Sequence, residues 1–153
     1  MKGDVLDDID RKLLKLLASD GRLSYNELGD KLGISASTAF SRVKRMEYAK
    51  IIKKFAPVLD PDKLGADMAV VIMVKGKGGH LEALERKFSE MPNIYAVYDI
   101  TGDWDVLLLA RFKSRIELNS FVKKLISLPY VEHTCTYTVL NTEKEELVAS
   151  SIL

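Results

Sequence analysis

Apolar residues recur at helical spacing from the start of the chain. Ile9, Leu13, Leu16 and Leu17 fall at i, i+4, i+7 and i+8 and form one stripe. Asp7, Asp8 and Asp10 put negative charge at the positive end of that helix's dipole, so it begins near Asp7, and Asp20-Gly21 ends it. Ser24 and Glu27 have capping-box spacing for a second helix, with Leu28 and Leu32 turned inward and Gly33 breaking it. Ser35 caps a third. At about 100° per residue, Ala39, Val43 and Met46 gather on its core side. Ser37, Ser41, Lys44, Arg45 and Tyr48 lie opposite, with Thr38 and Arg42 on one flank.

Beyond the third helix the period changes. Ile51 to Leu59 reads as a short β segment, a wing, and Asp60-Pro61-Asp62 is turn chemistry. The domain boundary falls at residues 60–65, closed by Leu64-Gly65. The second half repeats itself with an offset of 37: Val70, Val71 and Ile72 correspond to Leu107, Leu108 and Leu109. Leu81, Leu84, Phe88 and Met91 correspond to Leu118, Phe121, Leu125 and Leu128, Pro92 to Pro129, and Ile94 to Val131. Each half reads strand, helix, proline stop, strand. Ser114 and Glu117 cap the second of these helices as another capping box. Two such units in series predict βαββαβ, the ferredoxin-like plan, and an α+β class for the whole chain.

The strands near 68–74 and 106–110 are apolar on both faces, whereas two helices cover only one face of such a sheet. A second subunit is the simplest cover for the other, so a homodimer through the sheets is expected. In the last strand Val131, His133, Cys135, Tyr137 and Val139 share one face, and Thr134, Thr136 and Thr138 the other. The threonines either express β-propensity or wall a polar ligand. Gly102-Asp103-Trp104-Asp105 lies between the repeats, where two carboxylates either receive an ammonium group or shape the hairpin.

Charge sharpens the first half. The net charge is +1, but residues 1–64 carry 13 Lys/Arg against 10 Asp/Glu and residues 65–153 carry 10 against 12. Six cations (Arg42, Lys44, Arg45, Lys50, Lys53, Lys54) stand within 35–54 against the single acid Glu47. Helix, tight turn and second helix with a hydroxyl-rich, basic outer face form a helix-turn-helix, whose second helix enters the DNA major groove. Small hydroxyls let the backbone approach base edges, and the cations reach phosphate or guanine. Double-stranded DNA is therefore the expected partner.

Other chemistry finds little support. Cys135 is the single cysteine, which excludes an intrachain disulfide and suits a reducing cytoplasm. No apolar run approaches the ~20 residues of a membrane span. The opening Met1-Lys-Gly-Asp leads into charged helix, not a signal region, so a cytoplasmic location without membrane contact is expected. His133 and Cys135 share a strand face and His80 lies elsewhere, without a third ligand or paired acid. The expectation is no catalytic residue, no metal and no cofactor.

These residues together resemble the leucine-responsive (Lrp/AsnC) family of transcription regulators over almost the whole chain. The resemblance rests on Leu6-Asp7-Asp8-Ile9-Asp10, Asp20-Gly21-Arg22-Leu23-Ser24, Ile34-Ser35-Ala36-Ser37-Thr38, Arg42-Val43, Leu59-Asp60-Pro61, Gly102-Asp103-Trp104-Asp105 and the threonine-rich last strand. It implies a winged helix-turn-helix over 1–60, a linker over 61–65, and a βαββαβ effector-binding and oligomerisation domain over 66–153. It implies dimers assembling further, often into octamers, and a small effector, usually an amino acid, bound between subunits. By that resemblance Ser35, Ser37, Thr38, Ser41, Arg42 and Arg45, with Lys44 beside them on the outer face, form the DNA-facing segment. Gly102, Asp103, Trp104, Asp105, Thr134 and Thr136 line the effector site. Two positions depart from the pattern: Lys50 stands where the family usually has Gly, and Trp104 where it usually has Tyr. A left-handed backbone at 50 would burden Lys where Gly is free of strain. The alternative is an architectural DNA-compacting protein without an effector, in which Asp103 and the threonines are purely structural.

Overall fold

The computed structural model describes residues 6–146. The opening Met1-Lys-Gly-Asp and the tail 147–153, assigned above to the second domain, lie outside the described residues. The chain separates into two compact units: the first runs to Val58 and also takes in Glu145 and Glu146, and the second is Leu59–Lys144.

The first unit contains α1 (Asp8–Ser19), α2 (Tyr25–Leu32) and α3 (Ala36–Tyr48). Each begins where a side chain satisfies amides that the first turn leaves unpaired. Asp7 and Asp10 each accept the other's backbone N–H at the head of α1. Ser24 and Glu27 do the same for α2, and Ser35 Oγ accepts the Thr38 N–H at 3.1 Å for α3. Leu13, Leu28, Ala39, Val43 and Met46 form the buried centre, with Ile9, Leu16 and Leu17 packed around it. Gly33 ends α2 in the left-handed region, φ 66°.

Lys50 also adopts the left-handed conformation, φ 59°. Its N–H donates to Glu47 O at 3.0 Å and that of Ile51 to Met46 O at 2.9 Å, the two bonds of a Schellman ending. Beyond it the expected wing is corrected. Residues 51–59 form no strand. Ile51 and Ile52 both give their amide hydrogens to Met46 O, closing α3 rather than opening a ladder. Pro57 has no hydrogen to give. Ile52 instead packs on the helical core.

The second unit runs β1 (Met68–Gly76), α4 (Leu81–Ser89), β2 (Ile94–Asp99), β3 (Val106–Phe112), α5 (Arg115–Ile126) and β4 (Val131–Thr138). Its antiparallel sheet has the order β2-β3-β1-β4, the ferredoxin-like arrangement that the internal repeat predicts. Val70, Ile72 and Val74 of β1 and Val106, Leu108, Ala110 and Phe112 of β3 pack against Leu84 and Phe88 of α4 and Phe121 and Leu125 of α5. On the other face Val71 pairs with Leu109 and Met73 with Leu107, all half-buried.

Two local readings are corrected here. A bulge at Lys75/Gly76 sets Val131 opposite Gly76, so Val131 packs with the helix-side core and leaves the face of His133, Cys135 and Tyr137. At α5 only half of the capping box forms. Ser114 Oγ accepts the Glu117 N–H at 3.2 Å. The Glu117 carboxylate reaches past Ser114 to the Lys113 N–H at 2.8 Å and to Asn93 Nδ2 at 2.8 Å, tying α5 to the start of β2. No helix among the described residues is long and apolar enough to cross a membrane.

Candidate functional site

The outer surface of α3 holds a shallow depression of about 400 Å³ lined by Ser37, Thr38, Ser41, Arg42 and Arg45. Five of the residues expected to face DNA are thus brought together. Ser35 stands at the edge as the helix cap, its Oγ also 2.9 Å from Ser37 Oγ and 2.8 Å from Thr38 Oγ1. Ser41 Oγ donates to Ser37 O at 2.9 Å, which leaves its lone pairs to accept from a base amino group. Lys44 faces elsewhere: its Nζ is 2.7 Å from Glu47 Oε2, which raises the lysine's pKa, and 5.9 Å from the centre of the Phe40 ring. Phe40 in turn meets Tyr25 edge-on at 5.2 Å.

The arginines are not free cations. Arg42 Nη1 lies 2.6 Å from Asp7 Oδ2 and 2.9 Å from Asp10 Oδ1, and Arg45 Nη2 is hydrogen-bonded to Asp10 Oδ2. The Asp10 amide and then the Arg42 guanidinium hold the Asp7 carboxyl below the usual carboxylate range. Asp7, then Asp10, raises Arg42 above its already high value. Reading Asp10 only as a helix-dipole charge missed its part in this cluster: it is wholly buried. The signal was available, because Asp10 precedes Leu13 by three and Leu17 by seven and so shares their inward face.

In the second unit one residue from each group of expected effector residues, Asp105 and Thr134, flanks the same β1 residue from opposite sides. Asp105 N–H donates to Val74 O at 3.1 Å, and Thr134 lies opposite Val74 in the β1–β4 register. Thr136 follows opposite Ile72, so both threonines share the helix-covered face. Gly102 has φ 119° and, with Asp103, is exposed, whereas Trp104 is half-buried. Asp105 is already engaged. Its Oδ2 accepts the Gly76 N–H at 2.9 Å and its Oδ1 pairs with Lys75 Nζ at 3.0 Å. These contacts, the amide first, lower its pKa. Cys135 and His133 pair with Met73 and Lys75 along β4, while His80 stacks on Tyr130 at 3.8 Å.

Residues 6–47 match the AsnC-type helix-turn-helix domain, and residues 69–148 match the Lrp/AsnC ligand binding domain. The chain belongs to the Lrp/AsnC family. Among similar proteins, an uncharacterised HTH-type transcriptional regulator of Pyrococcus furiosus is 38% identical over 92% of this chain and 95% of its own. The HTH-type transcriptional regulator FL11 of Pyrococcus horikoshii is 38% identical over 92% and 93%. The transcriptional regulator NMB0573 of Neisseria meningitidis, solved in complex with L-Met, superposes with a TM-score of 0.89 at 27% identity, over 97% of this chain and 100% of that one. The protein is a transcription regulator with a DNA-binding helix-turn-helix and an Lrp/AsnC ligand-binding domain.

Proposed function

We propose that this regulator reads DNA with the outer face of α3 and changes its assembly or its grip on DNA when a small effector, an amino acid, binds in the second unit. The observation that carries the DNA half is the convergence of Ser37, Thr38, Ser41, Arg42 and Arg45 on one open depression of α3, with Ser35 as the cap of that helix and Lys44 turned toward Glu47. Phosphate contacts from the basic segment supply most of the affinity and make it salt-sensitive. Hydroxyl and arginine contacts to base edges supply selectivity. In this reading residues 1–60 are the DNA-reading domain, 61–65 the linker, and 66–153 the sensing and oligomerisation domain.

The effector half rests on the approach of the Gly102–Asp105 turn and Thr134 to either side of Val74, with Thr136 next along β4. The L-Met bound by the Neisseria relative supports an amino acid as the class. The partly exposed apolar sheet face of Val71, Met73, Leu107 and Leu109 supports a homodimer, with octamers as the further assembly. An effector acts by binding one assembly state more tightly than another, and so alters the spacing of the reading helices. A second reading, an effector-free architectural protein, draws on the engagement of Asp105 by Lys75 and Gly76, which gives that carboxylate a structural task already.

The experiment is binding to the DNA immediately upstream of the protein's own gene, across a salt series, with and without pooled amino acids. Salt-dependent binding that the pool alters supports the effector-sensing regulator. Equal binding to any DNA, indifferent to the pool, supports the architectural protein.

A further inference from the structure

Asp10 is 0% exposed, and both of its oxygens are occupied: Oδ1 by Arg42 Nη1, Oδ2 by Arg45 Nη2 and by the Asp7 N–H at 3.1 Å. A carboxylate at that depth is tolerated only because it is paired and hydrogen-bonded. The two arginines are held unequally. Arg42 makes its bonds to both aspartates through Nη1 and its side chain is 24% exposed. Arg45 is anchored to Asp10 through Nη2, and its side chain is 50% exposed at the wall of the depression. A guanidinium has five N–H donors in a rigid fork, so Arg45 keeps donors for a partner while its orientation is held.

The charges matter as much as the geometry. Asp7, Asp10, Arg42 and Arg45 together sum to zero formal charge, so this corner of α3 carries no net attraction for an arbitrary phosphate. An arginine held in place and neutralised from behind suits bidentate recognition of guanine O6 and N7, which is short-range and geometric. Unspecific phosphate attraction, which scales with net neutralising charge, is left to cations outside the cluster.

We infer that Asp10 is a specificity-determining positioning residue. It aims Arg45 at base edges and withholds that arginine's charge from DNA of the wrong sequence. The inference rests on the reading of α3 as the DNA-reading helix, and it separates two functions that the basic segment otherwise blurs. Arg42 is the tether of α3 to α1, and Arg45 is the reader.

The test uses the full chain and two duplexes of equal length, one enriched from a randomised pool by the wild-type protein and one unselected. Binding to each is measured by fluorescence anisotropy across a salt series. Asp10→Asn keeps the side-chain shape and removes the charge. The expected result is several-fold tighter binding to the unselected duplex, with a salt slope steeper by about one phosphate contact. The ratio between the two duplexes falls about tenfold, the discrimination of one good bidentate contact. In an Arg45→Gln background Asp10→Asn leaves the ratio unchanged, because the residue through which it acts is gone. A wild-type ratio and slope for Asp10→Asn, or an equal loss on both duplexes, overturns the inference. Should Asp10→Asn fail to fold by circular dichroism, Arg45→Lys decides. It preserves charge but not the fork, so the ratio must fall while the slope holds, and an unchanged ratio overturns the inference. Arg45→Gln without effect on either duplex also overturns the inference, whereas Ser37→Glu, which sets a negative charge in the depression, without effect on either duplex overturns the reading of α3 itself.

Discussion

Ile34 donates its backbone N–H to Gly29 O at 3.0 Å, and a Cβ at Gly29 would stand 2.6 Å from Ile34's own carbonyl oxygen. The turn that aims α3 therefore folds back onto α2 at a point where only hydrogen fits. Gly29→Ala sets two effects against each other. Helix propensity favours Ala by about 1 kcal/mol. Overpacking against rigid backbone costs about 1–3 kcal/mol and also displaces α3. We expect the steric cost to win, lowering the urea midpoint of the first unit and weakening DNA binding. A raised midpoint with unchanged DNA affinity would refute the close approach.

Lys50 offers the opposite sign. Its left-handed conformation costs a side-chain-bearing residue about 1–2 kcal/mol, and glycine avoids that while losing more chain entropy on folding. Lys50→Gly should stabilise the protein by about 0.5–1 kcal/mol. Lys50→Gln, which removes the charge and keeps the strain, should not. Equal thermal midpoints for the two variants would place the cost elsewhere.

How these features were legible differs with their physics. The helix starts at Asp7, Ser24 and Ser35 are local events written in a few residues, and the internal repeat carried the sheet unit because each copy encodes the same strand–helix–strand burial. Left-handed Lys50 was foreseeable from the glycine it replaces in the family pattern. The Ile51–Leu59 segment misled because its apolar, β-branched residues state an affinity for burial, whereas a strand also needs a neighbour. The Val131 face was misplaced by a bulge that depends on the partner strand, and the Glu117 contact needs Asn93 brought from 24 residues away. In the α3 site the sequence placed the lining residues together. It did not disclose that Asp7 and Asp10, more than 30 residues earlier, hold the arginines.

Asp105 gives a pH signature. Its carboxyl is lowered by the Gly76 amide and then by Lys75. A depressed folded value contributes stability that is present above the unfolded value, near 3.8, and disappears as pH falls through the folded value. Asp105→Asn should therefore lower stability by about 1–2 kcal/mol at neutral pH and by progressively less in acid. Thermal melts of both proteins across an acidic series read this directly. A gap that stays constant into strong acid would show that the charge contributes nothing to joining the turn to β1.

The half-buried apolar sheet face makes the last prediction. Val71 and Leu109 are opposed across β1 and β3, Met73 and Leu107 follow in register, and Tyr137 stands opposite Val71 on β4. One face of this sheet packs on α4 and α5, so a symmetric partner placed on the other would meet the same residues in itself. In such an interface each substitution occurs twice. Removing one buried leucine-sized side chain costs about 1.5–3 kcal/mol per copy, so Leu109→Asp should weaken the dimer by about 3 kcal/mol or more, at least a hundredfold in dissociation constant. Light scattering should find a smaller particle while circular dichroism keeps the α+β signal, because Leu109 points away from the helix-side core. DNA affinity should fall with it, since two reading helices on one particle bind adjacent half-sites more tightly than one. An unchanged mass at micromolar concentration would exclude this face as the dimer contact and leave the pairing of the reading helices to another surface.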